Sequence, residues 1–192
     1  MSKQNLVHVI KKDDLTSHNV LSLPRDSQAS LQLGHVRIRP VLFCLTYNNL
    51  SYARLGTMMK WWSAYPVPKQ LPEPYNDESQ YGIVPCWGFG EVVESQVEDF
   101  EPGRLIFGYW PYCDLICDYK LEKGDAKGHW CEVSEHRKEL MPIYNRYIVK
   151  DASSRLGKLG KKEVDDLAME AVFLVWECGY LLNQVILGKP YV

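Results

Sequence analysis

The sequence predicts a mainly β domain with a single long helix at its C-terminal end, and three observations carry that expectation. Segments at 36–43, 90–95 and 105–110 are rich in β-branched and aromatic residues, the composition that suits a pleated, half-buried surface. Glu101-Pro102-Gly103-Arg104 sits between the last two and has the Pro-Gly centre of a type II turn, where glycine supplies the positive φ. From Lys161 to Leu187 the composition changes to helix formers behind a charged first turn, with Gly188 placed to cap the end and Pro190 just beyond.

The 192 residues suit one large domain, and 46% apolar with 12% aromatic residues is enough for a real core. Residues 1–32 are polar and mixed and read as a short strand followed by a loose connection, with turn signals at Leu23-Pro24 and Asp26-Ser27. Residues 33–160 read as the mainly β unit and 161–192 as the helix and its tail. In Gly34 to Phe43, Val36, Ile38 and Val41 alternate around Pro40, which places a bulge or a sheet edge at the proline. From Met58 to Tyr81, prolines at 66, 68, 72 and 74 interrupt every period, so this stretch reads as a long aromatic-rich loop, of the kind that is functional or mobile. The terminal helix is apolar around most of its circumference and must pack against something. Glu170, Glu177, Asn183 and Gln184 interrupt it, so no membrane span is expected.

Charge and cysteine usage exclude further classes. A net charge of −2 with pI near 6.2 gives no positive field to gather phosphate backbones, so no nucleic-acid partner is expected. The opening twenty residues have no apolar h-region or small-residue cleavage pattern, and a cytoplasmic location follows as an expectation. The cysteines at 44, 86, 113, 117, 131 and 178 read as thiols, because a chain of this size needs no disulfide framework. Cys113-x3-Cys117 with His129 and Cys131 lacks the close paired spacing of structural zinc sites. No G-x-S-x-G elbow, H-E-x-x-H or telling carboxylate pair occurs. His35, His129 and His136 read as isolated imidazoles.

The order of strand, Leu45-Thr46-Tyr47-Asn48-Asn49-Leu50, aromatic loop, Gly88-Phe89-Gly90-Glu91-Val92-Val93-Glu94 and Glu101-Pro102-Gly103-Arg104-Leu105-Ile106-Phe107-Gly108 resembles the N-terminal domain of medium-chain dehydrogenases/reductases. The likeness runs over roughly 33–187, and the later Pro142-Ile143-Tyr144-Asn145-Arg146-Tyr147 stretch is similar to a largely fungal branch of that superfamily. The resemblance implies a GroES-like, partly closed β-barrel plus the long C-terminal helix, with the Rossmann domain absent. By the same correspondence Thr46 and Cys86 stand where zinc alcohol dehydrogenases place cysteine and histidine, so a zinc-free, quinone-reductase-like site is implied. Gly88-Phe89-Gly90 lacks a third glycine and runs into a β-branched segment, unlike a dinucleotide-binding turn. No cofactor is expected on that reading, because hydride transfer needs a carrier that side chains cannot replace.

The resemblance puts a substrate cleft among Tyr47, Tyr52, Trp61, Trp62, Cys86, Trp87, Tyr109, Trp110 and Tyr112. Tyrosine and tryptophan offer an apolar wall with one polar handle, as small-molecule pockets require, and the case rests on the group, since each one singly reads first as a core residue. Tyr47 and Asn48 are the candidate catalytic pair, a phenol and a carboxamide able to donate to a substrate carbonyl oxygen; the competing reading is a turn asparagine and an anchored tyrosine. Cys86 has no nearby histidine, so as a nucleophile it gives way to the reading of a small buried residue. The function expected is a cofactor-independent isomerase or cyclase, with a pericyclase among the candidates, shaping a hydrophobic polyketide-like metabolite. The alternatives are a non-catalytic subunit docking through its C-terminal helix, with a homodimer as the commonest outcome, and a fragment of an NADPH-dependent quinone-type reductase.

Overall fold

The computed structural model describes residues 4–24, 30–150 and 159–181. Two sheets organise the chain. Strands β1 (Gln4–Lys11) and β2 (His18–Pro24) form an antiparallel hairpin, and the short β4 (Tyr81–Gly82) adds to the other edge of β1. The N-terminal segment is therefore a hairpin with Val7 and Val9 fully buried, where the sequence reading expected one strand. Its polar residues hid the second strand because β2 is largely exposed.

Strands β3 (His35–Cys44), β5 (Pro85–Ser95), β6 (Leu105–Pro111), β7 (Cys117–Lys123), β8 (His129–Glu132) and β9 (Arg146–Val149) form a closed barrel in the order β3-β5-β6-β9-β8-β7. The mainly β architecture with a C-terminal helix is the fold class that the sequence predicts. Closure is made by β3, which pairs antiparallel with both β5 and β7, so the ring is complete rather than partly open. The register of β3 shifts between Pro40 and Leu42, as a residue without an N–H requires in a paired strand. Gly103 holds φ 87° in the 101–104 turn, and Arg104 N donates to Glu101 O at 3.1 Å.

Strand alternation sorts the aromatic residues. Trp110 on β6 touches Tyr119 on β7 and Tyr147 on β9, with ring centroids 5.4 and 5.0 Å apart. Because β6 and β7 are not neighbours in the ring, these rings meet across the barrel interior. Tyr109, one residue earlier, must face outward. There it packs on Trp87, and the pair is covered by Tyr52 of α1 (Tyr47–Arg54), Trp61 of the 3₁₀ turn Trp61–Ala64, and Tyr144 of the 3₁₀ turn Pro142–Asn145.

The stretch from 58 to 81 is not an open loop. Trp61, Trp62, Ala64, Tyr65, Val67 and Leu71 are all buried. Its prolines stop long elements but leave short turns free to lay aromatic side chains on the barrel. Helix α2 (Lys161–Leu181) packs on β3 and β5 through Leu167 and Ala171, and Lys150 Nζ reaches Glu170 Oε1 at 2.9 Å. Met169, Val172, Phe173 and Trp176 on the same helix are exposed. The expected continuation to 187, with Gly188 and Pro190, lies outside the described residues, as does the side chain of Cys178. Among the described residues no helix is long and apolar enough to cross a membrane.

Candidate functional site

The expected site residues divide into five places. Tyr52, Trp61, Trp87 and Tyr109 do come together, joined by Tyr144 and Phe107. They fill the space between them, each no more than 6% exposed, with Trp87 Nε1 donating to Tyr52 Oη at 3.0 Å. The Tyr109 hydroxyl has no hydrogen-bond partner there, and burial pushes its pKa up.

Trp110 and Cys86 belong elsewhere, because adjacent strand residues point to opposite faces. Trp110 Nε1 donates to Gly88 O at 2.9 Å and its ring fills the barrel. Cys86 is fully buried with its sulfur 3.7 Å from Trp110 O; burial, then Cys113 and Cys44, hold its thiol protonated. It is a core residue, not part of a cleft wall. Tyr112 stands apart, edge-on to Phe43 and His8.

Tyr47 and Asn48 lie in the first turn of α1. Thr46 caps that turn, accepting from Asn48 N, while the Asn49 side chain closes the capping box and reaches Pro85 O at 3.1 Å. The anchoring carboxamide is thus Asn49 rather than Asn48, and Tyr47 is 73% exposed.

Thr46 and Cys86 do not fit a zinc ion, since one is a helix cap and the other packs on a backbone carbonyl. Among the described residues no three His, Cys, Asp or Glu groups converge for a metal. Gly88-Phe89-Gly90 continues β5 as strand, and Gly88 abuts Leu42 O so closely that a Cβ would lie 2.0 Å from it. That glycine serves strand packing, and the segment does not fit a pyrophosphate cradle, which opens a helix.

A cleft opens instead where the 58–81 stretch meets the barrel mouth. A cavity of about 170 Å³ has Tyr65, Tyr119, Glu132 and Arg137 as its buried floor and Pro66, Asp118 and His136 at its exposed rim. A second, of about 450 Å³, shares Tyr65, Pro66 and His136 as a common wall and extends over Trp62, Val67 and Tyr81. Trp62 is thus an expected site residue that lines a cavity. Its indole is clamped between the backbones of Gly56 and Gly82, where an added Cβ would approach to 2.5 and 2.4 Å, and Lys12 Nζ lies 5.6 Å from the ring.

The floor is a polar network inside an apolar barrel. Arg137 is 1% exposed, with its guanidinium 4.9 Å from the Tyr65 ring and Nη1 donating to Tyr147 Oη at 2.6 Å. Tyr147 in turn donates to Tyr109 O at 2.8 Å, Tyr65 donates to the same carbonyl, and Tyr119 donates to Tyr65 Oη at 3.3 Å. Burial pushes up the pKa of Tyr65 and Tyr119, so these phenols stay neutral. Burial opposes the charge on Arg137, but the surrounding tyrosine and Glu132 oxygens outweigh it and its pKa is raised. Cys117 lines the same cavity, its thiol pushed up to about 12 by burial.

His136 is held differently. Desolvation lowers its pKa, with Arg137 adding to the effect and Glu132 and an Ala64 backbone hydrogen bond opposing it. The imidazole is therefore neutral around pH 7.

Sequence reasoning missed Tyr65, Tyr119, Glu132, Arg137 and Tyr147 as a group. They come from four separated segments, and Ser-Glu-His-Arg-Lys-Glu at 134–139 reads as a solvated turn. The alternation of Cys-Trp at 86–87 and Tyr-Trp at 109–110 was the available signal that the expected residues could not share one wall.

A family profile described as a protein of unknown function (DUF2855) matches residues 43–191. The chain belongs to that family. No curated protein and no solved structure matches it. The DUF2855 match takes in β3 from Phe43 onward, the rest of the barrel, the cleft and α2, and leaves the β1–β2 hairpin outside.

Proposed function

We propose that the chain is a cofactor-independent isomerase or cyclase that holds a hydrophobic small molecule of polyketide-like size in the paired cavities beside Tyr65 and His136. The observation that carries this reading is the shared wall. Together the two cavities reach the several hundred Å³ typical of small-molecule sites, and a neutral imidazole stands at their junction. His136 can take a proton from one carbon of a bound substrate and return it to another, a rearrangement that balances without oxidant or reductant. The aromatic walls restrict the substrate to reactive conformers, which is the larger part of the rate gain in such reactions.

The motif order that resembles medium-chain dehydrogenases/reductases supports a barrel of GroES-like descent with a binding cleft at its mouth. That link is an analogy of fold, and fold alone does not assign chemistry. The free thiols of Cys44, Cys86, Cys113, Cys117 and Cys131 suit a reducing compartment, and a cytosolic setting is part of the proposal.

The test is to incubate the purified chain with candidate polyketide intermediates and look by mass spectrometry for an isobaric product of altered retention. His136→Gln is expected to slow formation by a hundredfold or more, whereas Tyr47→Phe, on the outer surface, is expected to leave it unchanged. Undiminished turnover by His136→Gln would reject the assigned proton carrier. The same preparation titrated with NADPH is expected to show no saturable fluorescence change; saturation would favour the quinone-type reductase reading instead. A second reading, a module that docks through α2, is favoured by the exposed Phe173, Trp176 and Tyr180, whose rings meet in series, the first pair tilted at 5.5 Å and the second stacked at 5.2 Å.

A further inference from the structure

Arg137 is the one floor residue whose donors are not used up. Tyr65, Tyr119 and Tyr147 each spend their hydroxyl proton on another group of the network. Of the guanidinium, Nη1 donates to Tyr147, while Nη2 has no hydrogen-bond partner although the residue is 1% exposed. Nε is also without a hydrogen bond, facing Glu132 Oε2 at 3.9 Å. Leaving a charged donor unpaired inside a protein is costly, and native structures seldom tolerate it without a function. Here the residue that carries the unpaired group is one of those lining the cavity of about 170 Å³.

The charges around it define what can complete it. Glu132 already faces the guanidinium, and its oxygens are held by Ser134 N, Ser134 Oγ and Lys120 N. Asp118 at the rim is gripped by Arg37, through Nε at 2.7 Å and Nη2 at 2.9 Å, and Arg37 also binds Glu94. The formal charges in and around the cavity are therefore already compensated, with no net positive excess. A carboxylate brought there would lose its hydration and meet Glu132 without a free counter-charge. An uncharged acceptor meets no such penalty.

We propose that Arg137 Nη2 is the anchoring donor for an uncharged carbonyl oxygen, so that the ligand is a ketone, aldehyde or ester whose apolar body lies over Tyr65 and Trp62. This rests on the proposed function and narrows its substrate to carbonyl compounds. A donor fixed before the ligand arrives is also placed to hold negative charge on that oxygen if His136 removes a proton from the neighbouring carbon.

The probes are 4-phenyl-2-butanone, its hydrocarbon counterpart butylbenzene, and 4-phenylbutanoate, titrated into the wild-type chain by calorimetry. The ketone is expected to bind tenfold or more tightly than either, and the Arg137 Nη2 proton resonance to shift on its addition. Equal affinity for ketone and hydrocarbon, tighter binding of the carboxylate, or no binding of any probe would each overturn the assignment. Arg137→Lys, which keeps the charge beside Glu132, is expected to erase the ketone preference while leaving butylbenzene affinity unchanged. The wild-type comparison stands alone if that variant does not fold. Ketone binding through Nη2 with no product from any intermediate would sink the isomerase reading and spare the anchor; turnover without a ketone preference would do the reverse.

Discussion

His8 shows how one side chain couples the N-terminal hairpin to pH. Its Nε2 lies 3.2 Å from His18 Nδ1 across the strand pair, and its ring meets Tyr112 edge-on. Burial lowers its pKa from the ordinary 6.5, and the neighbouring His18 lowers it further. The sign follows from linkage: a histidine depressed in the folded state binds fewer protons there than in the unfolded chain, so folding weakens as pH falls below about 6.5. His136 is depressed in the same direction and adds to the loss. Thermal melts from pH 7.5 down to 5 are expected to show a falling Tm, and His8→Gln is expected to flatten part of that slope. A Tm independent of pH across this window would contradict the assignment. None of this was legible in the sequence, because the two rings lie ten residues apart and meet only through the hairpin register. The same holds for Arg137, whose neighbours in sequence are charged and whose neighbours in space are phenols.

At the level of elements, Arg37 is the clasp of the barrel. It sits opposite Glu94 on β5 and opposite Asp118 on β7 in the strand registers, and its guanidinium reaches both carboxylates at 2.6 to 2.9 Å. The hydrogen bond to Asp118, more than the burial that opposes it, raises the pKa of Arg37. Arg37→Met is expected to cost about 1 to 2 kcal/mol in urea denaturation; the figure is modest because both carboxylates keep 40% or more of their side-chain exposure and can rehydrate. A cost below a few tenths of a kcal/mol would mean that the clasp is decorative. The strands around it were readable because Val36, Ile38 and the β-branched run at 92–93 advertise buried faces. The second strand of the hairpin and the structured course of 58–81 were not, since the first buries little and the second is built from turns whose packing no local period reveals. The same limit applied to the cleft: its aromatic residues were visible, but the face on which each lies is a property of strand pairing.

For the whole molecule, we propose that the side of α2 left uncovered among the described residues sets the association state. Met169 and Phe173 are 72% and 53% exposed and Trp176 is 51% exposed, a contiguous apolar stripe at helical spacing. Light scattering coupled to size-exclusion chromatography is expected to give twice the chain mass, with Trp176→Glu shifting it to one chain while circular dichroism stays unchanged. A wild-type monomer at micromolar concentration would remove the second copy from the account.

The seam between β3 and β7 also sets a schedule for synthesis. Arg37 and Asp118 are separated by 81 positions along the chain, so on the ribosome the first flank of this seam emerges several seconds before the strand that pairs with it. Until then β3 carries an unmet edge, the kind of surface that invites mispairing between nascent chains. Slow translation between the two would lengthen that vulnerable interval, and chaperone dependence in the cell is expected to track it.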